Sequence, residues 1–256
     1  MTIKLKRPKQ IEAMREANRL VAETFVQLEK EIRPGARLSD LDKLAEDFLR
    51  SRGAQPLYKG YRGNPPSHPP FPGVICASVN HEICHGLPDQ RILRSGDIVG
   101  IDIGLVLNGW CGDACVTFPV GAISSEAQRL LVVAKECLRL GIEAAQPGQR
   151  LSNIGAAIQT YAESQGYSVV REWGGHGVGR NLHEEPSVSH IGPPGRGPLL
   201  RPGMVFTIEP MINAGGHAWH ILDDGWTVVT LDNSLSAQFE HTIAITKDGP
   251  LILSQL

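Results

Sequence analysis

The hairpin at the centre of the chain is predicted by residues 99–117, which read VGIDIGLVLNGWCGDACVT. Two strand-like runs flank Asn108-Gly109, the preferred dipeptide of a two-residue type I′ turn. A turn of this length allows one pairing register, in which Gly104 faces Asp113. The turn therefore determines which side chains of the two strands share a face.

Two carboxylates of this hairpin lie on the same predicted face. Asp102 and Asp113 are diagonal neighbours because side chains alternate with period two, and we expect their Cβ atoms about 7–8 Å apart. Flanking Ile101 and Ile103 indicate a strand covered on at least one side. Buried carboxylates this close repel each other unless a cation lies between them. The hairpin therefore predicts a metal site, the alternative being a wet face with two solvated aspartates.

An internal repeat surrounds the hairpin. Residues 33–53 (RPGARLSDLDKLAEDFLRSRG) and 146–166 (QPGQRLSNIGAAIQTYAESQG) share seven identities in 21 positions. Farther along, residues 93–102 align without gaps on residues 200–209, and each segment ends in a carboxylate. Chance similarity of two turns explains the first match but not a second match in the same order. The repeat therefore predicts a duplicated half-domain.

Each half of the repeat predicts two helices, an irregular loop and then strands. Ser39, Ser125 and Ser152 are the expected starts of the second, third and fourth helices. We therefore predict an α+β fold over residues 1–256, a largely antiparallel sheet with helices packed on one face. The two duplicated halves span about residues 10–120 and 121–250.

Three more side chains are candidate metal ligands. Glu209 and Glu240 each end or begin an apolar strand-like run, where an unpaired carboxylate is costly. His176 lies in the segment GGHGVG, whose glycines let a ligand approach the backbone. Taken singly, such residues are more often solvated or part of a turn. Together, four acids and one imidazole can hold two divalent ions, and their hardness favours cobalt, manganese, iron or zinc. Such a pair activates water and polarises a carbonyl, so the sequence predicts metal-assisted hydrolysis.

Composition excludes several other classes of protein. The 256 residues are 41% hydrophobic and 20% charged, with a net charge of −2, so no general basic field attracts nucleic acid or anionic lipid. No apolar run reaches the roughly 20 residues of a membrane span, and the start lacks the apolar segment of a secretion signal. The five cysteines lack zinc-finger spacing and suggest reduced thiols. We expect a cytoplasmic monomer.

These residues resemble a known family. The contexts IDIG, GDA, GHGVG, IEP and FEHT of the five candidate ligands, with VNHEICHGLP at 79–88 and DGWT at 224–227, are similar to type I methionine aminopeptidases. The resemblance covers nearly the whole chain. It implies the pseudo-twofold "pita-bread" metallopeptidase fold, a single catalytic domain and release of N-terminal methionine from nascent proteins, with a small second residue preferred.

The resemblance also implies a role for each ligand. Asp102 holds one metal alone, His176 and Glu209 hold the other, and Asp113 and Glu240 bridge both. Glu209 doubles as the proton shuttle.

The remaining site residues are implied by the same resemblance. His183 donates near the scissile carbonyl oxygen and His85 near the scissile nitrogen. The pocket for the methionine side chain is lined by Phe71, Cys76, His85 and Trp226. The partners are nascent-chain N-termini, with a transient ribosome contact through the basic start (Lys4, Lys6, Arg7 and Lys9), although a solvated tail is the commoner fate of such a cluster.

Some features depart from the family pattern or leave alternatives. Gly104 replaces a threonine found in many members, which predicts a lost hydrogen bond and weaker retention of the metal on Asp102. Cys111 and Cys115 share the face of Asp113 and are expected to be inert thiols, with sensitivity to oxidants as the alternative. The proline-rich segments 64–73 and 192–203 are either connectors or cleft walls, and the resemblance favours a wall for the first. A prolidase-type dipeptidase and an inactive binding module remain as rival functions.

Overall fold

The computed structural model describes residues 2–63, 66 and 68–256. In chain order its helices are α1 (Pro8–Glu29), α2 (Leu38–Ser51), α3 (Ser125–Ala144) and α4 (Ser152–Ser164). The strands of the first half are β1 (Gln55–Pro56), β2 (Ile75–Val79), β3 (Glu82–Cys84), β4 (Ile98–Leu107) and β5 (Trp110–Pro119). Those of the second half are β6 (Ser168–Val169), β7 (Gly175–Gly177), β8 (Glu184–Val188), β9 (Val205–Ile208), β10 (Met211–Asn213), β11 (Trp219–Ile221), β12 (Val228–Thr230), β13 (Ser236–Gln238), β14 (His241–Thr246) and β15 (Gly249–Ile252). No helix in the described ranges is long and apolar enough to cross a membrane.

Within the described residues the strands form four antiparallel groups. In the first half β4 pairs with β1, β2 and β5, and in the second half the order is β15-β14-β9-β7-β8. Two three-stranded groups, β13-β10-β6 and β11-β12-β3, complete the sheet structure, and the last of these joins a first-half strand to second-half strands. The predicted α+β class with an antiparallel sheet is confirmed.

The hairpin β4–β5 has the predicted register. Leu107 pairs with Trp110, and Gly104 pairs with Asp113. Asn108 and Gly109 both adopt positive φ, at 52° and 74°, as a type I′ turn requires. Asp102 and Asp113 therefore lie on one face of the sheet, as the sequence predicts.

Backbone hydrogen bonds recur between the two halves. The Gly35 amide donates to the Leu93 carbonyl, and at the equivalent positions the Gly148 amide donates to the Leu200 carbonyl, both at 2.8 Å. Isolated bridges join Arg37 to Ile92 and, in the same relation, Arg150 to Leu199. This recurrence supports the proposal of two duplicated halves.

Each half also has its own apolar core. One cluster joins α1 and α2 to β2, β4 and β5, and the other joins α3 and α4 to β9, β10 and β14. Close packing of α1 depends on Gly112 of β5, where a Cβ atom would lie 2.7 Å from the backbone of Ala17. The helices therefore cover one side of the sheets, and the other side is free to form a site.

Helices α3 and α4 begin at the expected residues, Ser125 and Ser152, and α2 begins one residue before the expected Ser39, but the capping residues differ. Ser39 and Ser152 lie inside the first turns of α2 and α4, where Arg37 and Leu151 are the N-terminal caps. Ser124, not Ser125, caps α3 by accepting a hydrogen bond from the Ala127 amide. The capping residue of α2 therefore lies two residues before Ser39, and that of α3 lies one residue before Ser125. The Ser152 hydroxyl accepts a hydrogen bond from the backbone amide of Arg196 in the second proline-rich segment.

The basic residues at the start of the chain are not all solvated. Lys6 is only 7% exposed and forms an ion pair with Glu184 at 2.9 Å, while its amide donates to the Gly203 carbonyl. Lys4, Arg7 and Lys9 remain exposed.

Candidate active site

Three carboxylates converge on the open side of the sheets. Asp102 lies in the middle of β4, Asp113 in the middle of β5, and Glu240 directly before β14. One oxygen atom from each of them lies within 4.8 Å of the others. Asp113 and Glu240 are 3% and 2% exposed, so their charges are withdrawn from water. Oxygen donors at this spacing fit a divalent cation.

His176 and Glu209 extend this cluster. The Nε2 atom of His176, on β7, lies 3.6 Å from Asp113 Oδ2 and 3.7 Å from Glu209 Oε1. Its Nδ1 atom lies 3.2 Å from the Gly177 carbonyl, which assigns the ring proton to Nδ1. The Nε2 lone pair therefore points to the carboxylates, which is the orientation of a metal-binding imidazole.

Glu209 is held by three neighbours. The Thr207 hydroxyl donates to Oε1 at 2.7 Å, and the Gln238 side-chain amide donates to Oε2 at 3.3 Å. The backbone amide of Glu209 donates to Nε2 of buried His190 at 3.1 Å. The Thr207 oxygen also accepts the His176 amide, so one hydroxyl connects two candidate ligands.

Burial shifts the pKa of every member of this set. It raises the pKa of Asp102 to about 6 and that of Glu209 to about 8. Burial, and then the charges of the other acids, raises the pKa of Asp113 and of Glu240 well above its usual range. Burial lowers the pKa of His176 to about 3, which keeps the imidazole neutral. A divalent cation would balance charges that the protein alone disfavours, so the residues fit a metal.

Another side chain supplies a hydroxyl on the face of the hairpin that carries Asp102 and Asp113. Gly104 has no side chain, but Tyr58 fills the space above it and its hydroxyl lies 2.6 Å from Asp102 Oδ1 and 2.9 Å from Asp113 Oδ1. The expectation of a missing hydrogen bond at Gly104 is therefore wrong, and weaker metal retention loses its reason.

A cavity of about 300 Å³ opens over the candidate ligands. Its wall includes Phe71, Cys76 and Trp226, which are at most 8% exposed. Phe71 meets Trp226 edge to face at 5.4 Å between ring centroids, and the Trp226 indole donates to the Pro69 carbonyl at 2.9 Å. The apolar wall lies directly beside the carboxylates.

Two further histidines line the cavity. His85 adopts a positive φ of 56°, a conformation that non-glycine residues rarely take, and its ring packs against Trp173 at 5.1 Å. Burial lowers its pKa to about 4, so it is neutral. His183 lies at the exposed rim, with its ring 4.3 Å from that of His176. The structure brings all the candidate site residues together around one cavity.

Sequence reasoning missed several residues of the site. Tyr58, Tyr61, Trp173, Leu182, Met211 and Ile221 also line the cavity. Thr207 could have been found, because it precedes Glu209 by two positions and shares its strand face. Tyr58 could not, since its contact with the hairpin spans 44 residues or more.

The two proline-rich segments have different places. In the first segment, Phe71 lines the cavity and the Pro69 carbonyl accepts the hydrogen bond of the Trp226 indole, whereas Asn64, Pro65 and Ser67 lie outside the described residues. The second segment covers the start of α4, where the Gly195 amide donates to Asn153, so it is a connector.

All five cysteines are buried free thiols. Burial raises the pKa of Cys111 to about 12 and that of Cys115 well above its usual range, so neither is a thiolate at neutral pH. These values support the expectation of inert thiols.

The chain is similar to known proteins over its whole length. The family description "Metallopeptidase family M24" matches residues 12–247. Methionine aminopeptidase 1 of Bacillus subtilis is 52% identical over 98% of both chains. The crystal structure of methionine aminopeptidase from Rickettsia prowazekii matches with a TM-score of 0.95 and 44% identity, covering 99% of this chain and 100% of that one. The prolidase from Pyrococcus furiosus shares the fold, with a TM-score of 0.78, 22% identity and coverage of 98% of this chain but 65% of its own.

Proposed function

The chain belongs to metallopeptidase family M24 and, within it, to the type I methionine aminopeptidases, and we propose that it removes methionine from the N-termini of nascent proteins. One observation carries the proposal: four carboxyl groups and a neutral imidazole meet at the base of a cavity whose wall is aromatic and apolar.

We propose that the cluster holds two divalent ions. Asp102 would hold one ion, His176 and Glu209 would hold the other, and Asp113 and Glu240 would serve both. Oxygen ligands with one imidazole suit cobalt, manganese, iron or zinc. When bound, such ions polarise the scissile carbonyl and lower the pKa of a water molecule.

Glu209 acts as the proton shuttle. Its Oε1 atom lies 3.7 Å from His176 Nε2 inside the candidate cluster, so this carboxylate is placed beside the reacting groups, where it can take up a proton and release it again. The hydrogen bond from Thr207 fixes the position of Oε1, which faces His176. The proton taken from the attacking water passes to the departing amine.

The two cavity histidines bind the peptide. His183, at the rim beside His176, donates to the scissile carbonyl oxygen, where negative charge develops. His85, neutral and held by Trp173, interacts with the scissile nitrogen.

The apolar wall selects methionine. Phe71, Cys76, His85 and Trp226 surround a space that suits an unbranched thioether, because sulfur packs well against aromatic rings. The family resemblance supports a preference for a small second residue. We further propose a cytoplasmic monomer that contacts the ribosome transiently and binds neither specific nucleic acid nor membrane.

Peptide hydrolysis tests the proposal directly. With added cobalt or manganese, we expect release of methionine from Met-Ala-Ser and no cleavage of Ala-Pro, the prolidase substrate. A chelator should abolish activity, and metal analysis of protein purified without chelator should identify the natural ion. Preference for Ala-Pro would support the prolidase, and inactivity toward both peptides in metal-loaded protein would support a binding module.

A further inference from the structure

Tyr58 reaches the candidate metal ligands from outside the central hairpin. Strand β1 pairs with β4 through Gln55 and Pro56, and the next amide, that of Leu57, donates to the Gly104 carbonyl at 3.0 Å. The backbone pairing therefore delivers Tyr58 to the part of β4 that carries Asp102. Tyr58 is 9% exposed, so its hydroxyl is sheltered from water.

The hydroxyl of Tyr58 contacts two candidate ligands at once. It lies 2.6 Å from Asp102 Oδ1 and 2.9 Å from Asp113 Oδ1. Its ring is held on the far side by Phe71, at 6.4 Å between centroids and almost perpendicular. The ring also lies over Gly104, where a Cβ atom would be 2.6 Å from Cε1. Any larger residue at position 104 would collide with Tyr58 in this position.

We propose that Tyr58 is a positioning residue of the metal site, whose hydroxyl orients the carboxylates of Asp102 and Asp113, and that Gly104 leaves room for its ring. The inference rests on the metal site proposed above. Carboxylate ligands need hydrogen bonds that hold their lone pairs in the direction of the ion, and loss of such a partner weakens binding. The Tyr58 hydroxyl lies within hydrogen-bonding distance of Asp102, the one non-bridging ligand proposed for its ion, and of Asp113, a ligand proposed for both ions.

Metal titration of Tyr58→Phe tests this role without any substrate. The variant keeps the ring, and with it the contact with Phe71, but loses the hydroxyl. We expect its dissociation constant for Mn²⁺, measured by calorimetry on protein stripped with chelator and dialysed, to rise roughly 10–100-fold. The rise in melting temperature produced by Mn²⁺ should shrink accordingly.

Tyr61→Phe is the matched control. Tyr61 belongs to the same segment, but its ring centroid lies 6.1 Å from that of Trp226 and 6.2 Å from that of His183. The loss of its hydroxyl should therefore leave the Mn²⁺ affinity unchanged. Equal affinity of Tyr58→Phe and the wild type, within twofold, would overturn the inference. If the wild-type protein itself bound no Mn²⁺, the metal site of the proposed function would be wrong instead.

Placing a hydroxyl at position 104 distinguishes two roles of Tyr58, the orientation of the carboxylates by its hydroxyl and the packing of its ring. A Cβ atom at Gly104 would lie 3.0 Å from Tyr58 Oη, so a threonine there places its own hydroxyl close to the same point. In the background Tyr58→Ala, we expect Gly104→Thr to bind Mn²⁺ at least fivefold more tightly than Gly104→Val, which has the same shape without the hydroxyl. Equal binding by the two double variants contradicts an orienting role. If either double variant fails to fold by circular dichroism, the Tyr58→Phe titration decides.

Discussion

At the scale of single residues, the site depends on burying acids whose charges repel. Asp113 and Glu240 are almost fully buried beside Asp102. Burial, and then the charges of Asp102 and Glu209, raises the pKa of Asp113, and burial, and then the charges of Asp113, Glu209 and Asp102, raises that of Glu240. A cation changes this balance, because it attracts all of these groups simultaneously. The arrangement is therefore costly as a metal-free fold and favourable as a binding site.

Asp113→Asn should remove metal binding. Asp113 contacts His176 and lies between the other acids, so the amide, which has no charge, weakens attraction to both proposed ions. We expect the Mn²⁺ affinity to fall by about 100-fold or more and methionine release to fall with it. Asp248→Asn, at an exposed turn, is the control. Retention of full Mn²⁺ binding and turnover by Asp113→Asn would refute the shared site.

The pKa of Glu209 predicts how metal-free stability changes with pH. Burial raises this pKa from 4.5 to about 8, so between these values the folded chain keeps a proton that the unfolded chain has released. The contribution of Glu209 to the free energy of unfolding is therefore fully present below about pH 4.5. It decreases as the pH rises toward 8, by about 1.4 kcal/mol per pH unit.

Glu209→Gln cannot titrate and should lack this loss. In chelator, the free energy of unfolding of the variant relative to the wild type should increase from pH 5.5 to pH 8, as measured by urea denaturation. A difference that is constant with pH would show that Glu209 is already ionised in the folded protein. Added Mn²⁺ should reverse the order at pH 8, because it stabilises the ionised wild type.

At the scale of elements, strands carry ligands and helices hold the strands in place. Helix α1 lies against β5 so closely that Gly112 has no room for a side chain. The adjacent side chain of Asn18, on α1, accepts a hydrogen bond from the Asp113 amide at 3.1 Å. The close approach of helix and strand therefore also supports a candidate ligand.

Gly112→Ala should separate this helix from the strand. The added methyl group would lie 2.7 Å from the Ala17 backbone, which cannot move without shifting α1. We expect a loss of about 1–3 kcal/mol in unfolding free energy and weaker Mn²⁺ binding. Gly100→Ala is the control on β4, because its methyl group would have ordinary contacts of 3.5 Å or more and should cost nothing or add up to about 1 kcal/mol. Equal stability of both variants would contradict the packing argument.

At the scale of the whole molecule, the start of the chain is connected to the rim of the cavity. Lys6 and Glu184 form a buried ion pair, and the same carboxylate accepts the amides of Arg180 and Asn181 beside His183. Although burial acts to raise the pKa of Glu184, the hydrogen bond from Lys6 keeps it below its usual value. The first residues of the chain therefore hold a loop that carries a proposed substrate contact.

Lys6→Met should destabilise the protein and disturb this loop. Removing one partner leaves a buried charge, which costs about 3–5 kcal/mol. We expect a lower melting temperature and a raised KM for Met-Ala-Ser. The double variant Lys6→Met/Glu184→Gln should lose less stability than the sum of the two single changes, and simple additivity in this cycle would argue against a coupled pair.

The sequence by itself determined the hairpin, which depends on local rules, and the antiparallel α+β class, and it provided five candidate ligands through their combination and the family resemblance. A two-residue turn sets the register of β4 and β5, and alternation then puts Asp102 and Asp113 on one face. The starts of α3 at Ser125 and of α4 at Ser152 are also confirmed, whereas α2 begins at Leu38, one residue before the expected Ser39.

Only the tertiary structure decided what surrounds those ligands. Three contacts of the site join residues that are far apart in the chain. They are the contacts of the Tyr58 hydroxyl with Asp102, of His190 with the Glu209 amide, and of Lys6 with Glu184. No pattern in the sequence predicts these contacts, because they depend on how β1 pairs with β4 and on how the two halves pack. The spacing of residues within a strand is fixed by covalent bonds, so it can be read from the sequence. The residue that packs over a glycine, as Tyr58 packs over Gly104, is fixed only when distant segments of the chain pack together.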